Sequence, residues 1–192
     1  MDTSNPSILR LDRQALKVLA HPLRSRLLTE LRMHGPATAT ALARDLGTNT
    51  GATSYHLRRL ASVGLVEETK DGHGRERPWR AATEMHGWTE RDAAGDPDAE
   101  AASDWLRRHY LRSFLDHYES WLDDQAQWPI EWQDAAGASD FVLNLGASDL
   151  AALNADLVGL LHRYRDRAPS DPADARIVQL YVYAFPPERS PR

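Results

Sequence analysis

Cysteine is absent from the 192 residues. That removes disulfide frameworks, thiol nucleophiles and thiolate metal sites together. Lysine is scarce: of 23 basic residues only Lys17 and Lys70 are lysine, a feature of composition that carries no mechanism. No apolar run approaches the ~20 residues that a membrane-crossing helix needs. The opening stretch MDTSNPSILRLDRQ lacks the apolar centre of a secretory signal, so the expected compartment is the cytoplasm. There is no GxSxG, no P-loop, no GxGxxG after a strand and no HExxH. No pair of carboxylates stands at a spacing that suggests acid–base work, so no enzyme is expected and no cofactor.

What is present is the make-up of a globular protein, 42% hydrophobic and 27% charged. The length allows one ordinary domain or two small ones. The net charge of -5 hides an asymmetry. Residues 8–82 hold 13 Lys+Arg against 7 Asp+Glu, a net +6, so the remainder carries -11. A basic module suited to a polyanion is joined to an acidic one that is not.

The basic part reads as a run of short helices. Leu16 and Leu19 share a face in the first, about 12–20. His21-Pro22 breaks the chain, and proline suits the first turn of the next helix. Leu23, Leu27, Leu28 and Leu31 form its apolar stripe, and Gly35-Pro36 stops it. Thr38 is placed to cap a third helix, Ala39 to Leu46, that ends at Gly47. Thr48, Asn49 and Thr50 separate it from a fourth, GATSYHLRRLASVG, with Thr53, Leu57 and Leu60 inward. Two short helices joined by a brief polar turn predict a helix-turn-helix. Beyond Gly64 the period becomes two: Leu65 to Lys70 and Arg75 to Ala81 predict strands around the turn Asp71-Gly72-His73-Gly74. A hairpin in that place is a wing.

The run from His21 to Arg80 resembles the ArsR-like winged-helix transcriptional regulators. His21-Pro22-Leu23-Arg24, Ser54-Tyr55-His56-Leu57 with Leu60, Ala61-Ser62-Val63-Gly64-Leu65-Val66, and Gly74-Arg75-Glu76-Arg77 carry the likeness, in that order. It covers about residues 10–82. The resemblance implies a cytoplasmic homodimer that binds a palindromic operator in double-stranded DNA, usually as a repressor. Cysteine-based metal sensing, known in that family from the helix before the turn, has no ligands here.

The chemistry of the fourth helix agrees. The major groove admits one helix, and its outward side chains read base edges. With Leu57 and Leu60 inward, Gly51, Ser54, Tyr55 and Arg58 point outward. Thr48, Asn49 and Thr50 stand at the helix N-terminus, where free N–H groups favour a phosphate. His56 and Arg59 flank the face and suit phosphates. His73, Arg75 and Arg77 on the wing reach for the minor groove or backbone. Set against this, the Ser-Tyr-His triplet can be plain solvated surface, Arg58 and Arg59 can pair with carboxylates, and Trp79 reads as a core anchor of the wing.

The expected architecture is α+β and mainly helical. Residues 8–82 form the winged helix-turn-helix and 83–98 a connection. Residues 99–192 form a long helix to about Gln127 and a strand–helix–strand tail for dimerisation and an effector. The tail strands are expected at Phe141–Leu145 and Ile177–Phe185, around a helix with Leu150, Leu153, Leu157, Leu160 and Leu161 buried. Asp104, His109, Asp116, His117 and Glu119 have metal-ligand atom types without metal-ligand spacing, so no metal site is expected. Trp105, Phe114, Tyr118, Trp121, Tyr181 and Tyr183 are the candidate lining of an apolar cavity for an organic small-molecule effector. The same rings serve equally as a solid dimer core. The alternative for the whole chain is a winged-helix protein-interaction module with an acidic, ligand-binding tail and no DNA binding.

Overall fold

The structure is a computed structural model that describes residues 9–69 and 77–187. The chain divides into two compact units, residues 1–113 and 114–192.

The first unit opens with a two-residue strand, β1 (Leu9–Arg10), and then α1 (Arg13–Leu19), α2 (Pro22–His34), α3 (Ala39–Asp45) and α4 (Thr50–Ala61). Each helix begins where a side chain can satisfy a first-turn N–H. Asp12 accepts from Ala15, Thr38 from Ala41 and Asn49 from Ala52. His21 does the same for α2, its Nδ1 accepting from the Leu23 N–H at 3.1 Å, with Pro22 in the first turn. Gly47 and Gly64 stop α3 and α4 at φ of 64° and 72°, where a side chain would be strained.

The apolar faces converge on one core. Leu16, Leu19, Leu27, Leu57, Leu60 and Leu65 are sealed from solvent, as the period-3.6 stripes predict. Thr53 of α4 is sealed among them, and its hydroxyl finds no partner. The wing follows as β2 (Val66–Glu68) antiparallel to β3 (Trp79–Ala81), with Val66 opposite Ala81 and Glu68 opposite Trp79. Ala37, just ahead of α3, exchanges both backbone hydrogen bonds with Trp79. The buried Trp79 anchors the wing to the core. The wing turn with His73 and Arg75 lies outside the described residues.

Residues 83–98 are more than a connection. β4 (His86–Gly87) pairs in parallel with β1, bringing Leu9 beside His86. α5 (Glu90–Ala93) follows, with Ala93 sealed in the core. Arg10 binds this segment, reaching Asp92 at 2.8 Å and the Thr89 hydroxyl at 3.1 Å. The long helix α6 (Pro97–Asp124) begins here, burying Ala99, Ala102, Ser103 and Leu106. Trp88 donates to the Ser103 hydroxyl at 2.7 Å.

The second unit contains the end of α6, a 3-10 turn at Gln125–Gln127, α7 (Ile130–Ala135) and α8 (Ala147–Arg165). The expected tail helix is present as α8. The expected strands on either side are not: among the described residues no ladder joins Phe141–Leu145 or 177–185 to a neighbour. Gln179 and Tyr181 meet His117 of α6 and Tyr183 meets Phe114, while Val178, Leu180 and Val182 face solvent. Only Tyr181 of this stretch is half-buried, and Ile177, Tyr183 and Phe185 are exposed like their even-numbered neighbours, so the alternation marks neither a buried face nor a strand pairing among the described residues. The leucine face of α8 is likewise only half-covered. Leu160 is exposed, and His162 is the residue of α8 that is buried.

Candidate nucleic-acid interface

The candidate surface is built on α4. Asn49 sets its start, with Oδ1 accepting from the Ala52 N–H at 2.8 Å. Thr53, Leu57 and Leu60, about one residue per turn, are then committed inward. The remainder face out. Thr50, Gly51, Tyr55, Arg58 and Arg59 are exposed along with Asn49, while Thr48, Ser54 and His56 are half-buried. Tyr55 exposes about half of its surface (53%), a large aromatic held in water. A Cβ on Gly51 would lie 3.3 Å from the Asn49 Oδ1 that caps the helix, and would meet nothing else. Glycine therefore protects the cap as well as leaving the backbone approachable from outside.

Charge compensation separates the basic residues into two sets. On the wing strands Arg80 meets Glu67 at 2.7 Å and Arg77 lies 3.5 Å from Glu68. Arg77, expected to face DNA, thus has a carboxylate beside it across the ladder. Neither Arg58 nor Arg59 of α4 forms an ion pair among the described residues. Their side chains are exposed on an apolar-backed helix, with no carboxylate paired to either among the described residues.

One grouping near α4 escapes a reading based on helix faces. His56 turns back toward α2. Its Nδ1 lies 3.5 Å from Nη1 of Arg24, and its ring lies 4.6 Å from the ring of His21. Arg24 also donates through Nε to the Val18 carbonyl at the end of α1. Burial lowers the affinity of both histidines for a proton, and the Arg24 guanidinium lowers it further. Arg24 is itself held below its ordinary value, by burial first and then by Arg59. The signal in the sequence was the spacing of His21 and Arg24 in the His-Pro-Leu-Arg run. That signal names residues that meet α4 only once α1, α2 and α4 have packed.

The six aromatic residues expected to line one cavity fall into three groups. Phe114, Tyr118, Tyr181 and Tyr183 cluster in the second unit, with ring centroids 4.9–6.4 Å apart. Trp121 packs on Trp128, which packs on Trp132. Trp105 belongs to the first unit and stacks on His109 at 4.7 Å. Among the described residues no group of three or more His, Asp or Glu is placed to hold a metal ion. No helix among them is long and apolar enough to cross a membrane.

A family model described as a helix-turn-helix domain matches residues 19–69. No curated protein matches the chain. Among solved structures, the chain is similar to the winged helix-turn-helix domain of Mb0332 from Mycobacterium bovis. That domain is described as homodimeric, DNA-binding and from a possible ArsR-family transcriptional regulator. The two are 24% identical over 54% of this chain and 76% of that one, with a TM-score of 0.34. RV1404 from Mycobacterium tuberculosis is 15% identical over 81% of this chain and 84% of that one, with a TM-score of 0.32. The match falls on the elements built above from their caps, stripes and stops. Residues 19–69 of this chain, from the end of α1 through β2, match a helix-turn-helix domain.

Proposed function

We propose that the protein is a homodimeric, sequence-specific DNA-binding regulator that represses transcription from a palindromic operator. The observation that carries this is the outer face of α4: Tyr55, Arg58 and Arg59 exposed, the two arginines without carboxylate partners among the described residues, on a helix fixed by Asn49 at one end and by Leu57 and Leu60 beneath. Arg58 is the candidate for a guanine edge, and Ser54 and Tyr55 donate to bases or phosphates. Thr48, Asn49 and Thr50 stand at the N-terminus of α4, where first-turn N–H groups and the helix dipole favour a phosphate, although the Thr48 N–H itself donates to the Ala43 carbonyl at 2.8 Å. Two such helices in a dimer address half-sites about 34 Å apart, one turn of duplex, so a small rotation between subunits misaligns one of them. The aromatic region of the second unit is the proposed seat of an organic effector that drives such a rotation.

The test is fluorescence anisotropy on DNA from the region upstream of its own gene, at several salt concentrations. Phosphate neutralisation makes the affinity fall steeply with salt. Tyr55→Ala with Arg58→Ala is expected to abolish operator binding and leave the dimer intact by light scattering. Binding without sequence preference and without salt dependence overturns the reading. Loss of the dimer in the double variant shows that this face is an interface between proteins.

A further inference from the structure

His21, Arg24, His56 and Arg59 come from two helices and converge on one spot with no carboxylate among them. Arg24 Nη1 is 3.5 Å from His56 Nδ1, the two imidazole rings are 4.6 Å apart, and Tyr55 stands edge-on to His56 at 5.1 Å. The charged and titratable groups facing His56 are thus His21 and Arg24 from the start of α2 and Tyr55 from α4, while Arg59 of α4 acts on Arg24. From α1 the Val18 carbonyl faces Arg24.

The hydrogen bonds fix the protonation state. A guanidinium only donates, so the His56 Nδ1 beside Arg24 must accept, and the ring is neutral with its proton on Nε2. His21 Nδ1 accepts from the Leu23 N–H, so that ring is also neutral. Both histidines bind a proton less readily than a free imidazole, through burial and through the arginine. Two guanidinium groups beside two neutral imidazoles, with no carboxylate paired to them among the described residues, form an arrangement that an anion relieves.

We propose that Arg24 and His56, with His21 and Arg59 beside them, form a phosphate site that takes up one proton when a backbone phosphodiester of DNA enters it. The proposal rests on the DNA-binding reading above. The phosphate oxygen draws the Arg24 N–H away from His56. The Nδ1 lone pair so released takes a proton from solvent, and the new Nδ1–H donates to the same phosphate. No covalent bond is made or broken outside the proton transfer. His21 keeps its proton arrangement, because its Nδ1 remains committed to Leu23. At 3.5 Å the contact between Arg24 and His56 is at the outer limit of a hydrogen bond, so little is lost in the exchange.

The experiment measures operator affinity by anisotropy from about pH 8 to about pH 5.5 at fixed ionic strength. In parallel, the His56 ring is titrated by NMR with and without DNA. Wild type is expected to bind more tightly as pH falls, by up to about tenfold per pH unit for one proton. The midpoint of His56 is expected to rise when DNA is added. His56→Gln is expected to show a flat pH profile. Arg24→Gln is expected to weaken binding and reduce the salt slope by about one, which Arg24→Lys restores in part. Unchanged far-UV circular dichroism confirms that the variants fold. If wild type binds DNA with the same pH profile as His56→Gln, the proton-linked site is wrong and the DNA reading stands. If no DNA is bound, that reading fails, and titration with inorganic phosphate alone decides the site. A raised His56 midpoint retains it for free phosphate, and no change overturns it.

Discussion

The buried histidine at the junction of β4, α2 and α6 makes a quantitative prediction about stability and pH. His86 Nδ1 lies 3.3 Å from Nη1 of Arg32, and its Nε2 lies 2.8 Å from the hydroxyl of Tyr110. Arg32 can only donate, so Nδ1 accepts and the Nε2–H donates to Tyr110. Burial, and then the Arg32 charge, push the His86 ring down from 6.5 to about 4. Burial also raises the Tyr110 phenol, which stays protonated. The unfolded chain therefore binds a proton here more readily than the folded one. Stability is full above about pH 6.5 and is lost as pH falls toward 4. Two and a half units correspond to about 3 kcal/mol when fully expressed, of which about 2 kcal/mol is lost between pH 7.5 and pH 5. Urea denaturation followed by circular dichroism at those two pH values measures it. His86→Gln is less stable at neutral pH, because Arg32 and Tyr110 lose a well-placed partner. Its loss on acidification is smaller than that of wild type by about 2 kcal/mol. Parallel pH profiles for the two proteins would refute the assignment of a neutral, locked imidazole.

Other perturbations test the core and the interface. Thr53 is sealed in the core with an unpartnered hydroxyl, so Thr53→Val is expected to stabilise by about 1 kcal/mol in the same urea assay. Leu57→Ala opens a cavity beneath the recognition face and is expected to cost about 2–5 kcal/mol, with operator binding lost through unfolding. Asn49→Ala removes the α4 cap and is expected to cost about 1 kcal/mol and to weaken operator binding measured by anisotropy. Arg58→Gln is expected to lower the salt slope of binding by about one, whereas Arg80→Gln, which only frees Glu67 on the wing, leaves it unchanged.

The helix-turn-helix was legible because its determinants are local. Asp12, Thr38 and Asn49 cap the residue three ahead, Gly47 and Gly64 stop helices in place, and Leu27, Leu57 and Leu60 follow a single period. Contacts between distant segments left no such mark. The parallel pairing of Leu9–Arg10 with His86–Gly87 involves two residues on each side and no turn. The tail at 177–185 alternates like a strand, but periodicity reports only which side chains share a face. It does not report whether a backbone partner exists. His56 illustrates the same limit at the candidate site. Helical spacing puts it on the flank of α4, but its partners, Arg24 and His21, belong to the start of α2.

The count of basic residues in the first 82 positions is also a poorer guide than their pairing. Arg10 is matched by Asp92, Lys17 by Asp96, Arg44 by Asp45, Arg77 by Glu68 and Arg80 by Glu67. Exposed pairs of this kind contribute little to stability, but each one cancels the field that its arginine or lysine would project. Arg24, Arg58 and Arg59 have no such partner among the described residues. They lie on α4 and the start of α2, and their fields add on one side of the helix-turn-helix. The DNA-binding proposal draws on this difference, since Arg77 and Arg80 beside the wing strands each have a glutamate partner. On the proposed reading, a sequence whose total charge is -5 meets phosphate through Arg24, Arg58 and Arg59, the guanidinium groups of this region that have no carboxylate partner among the described residues.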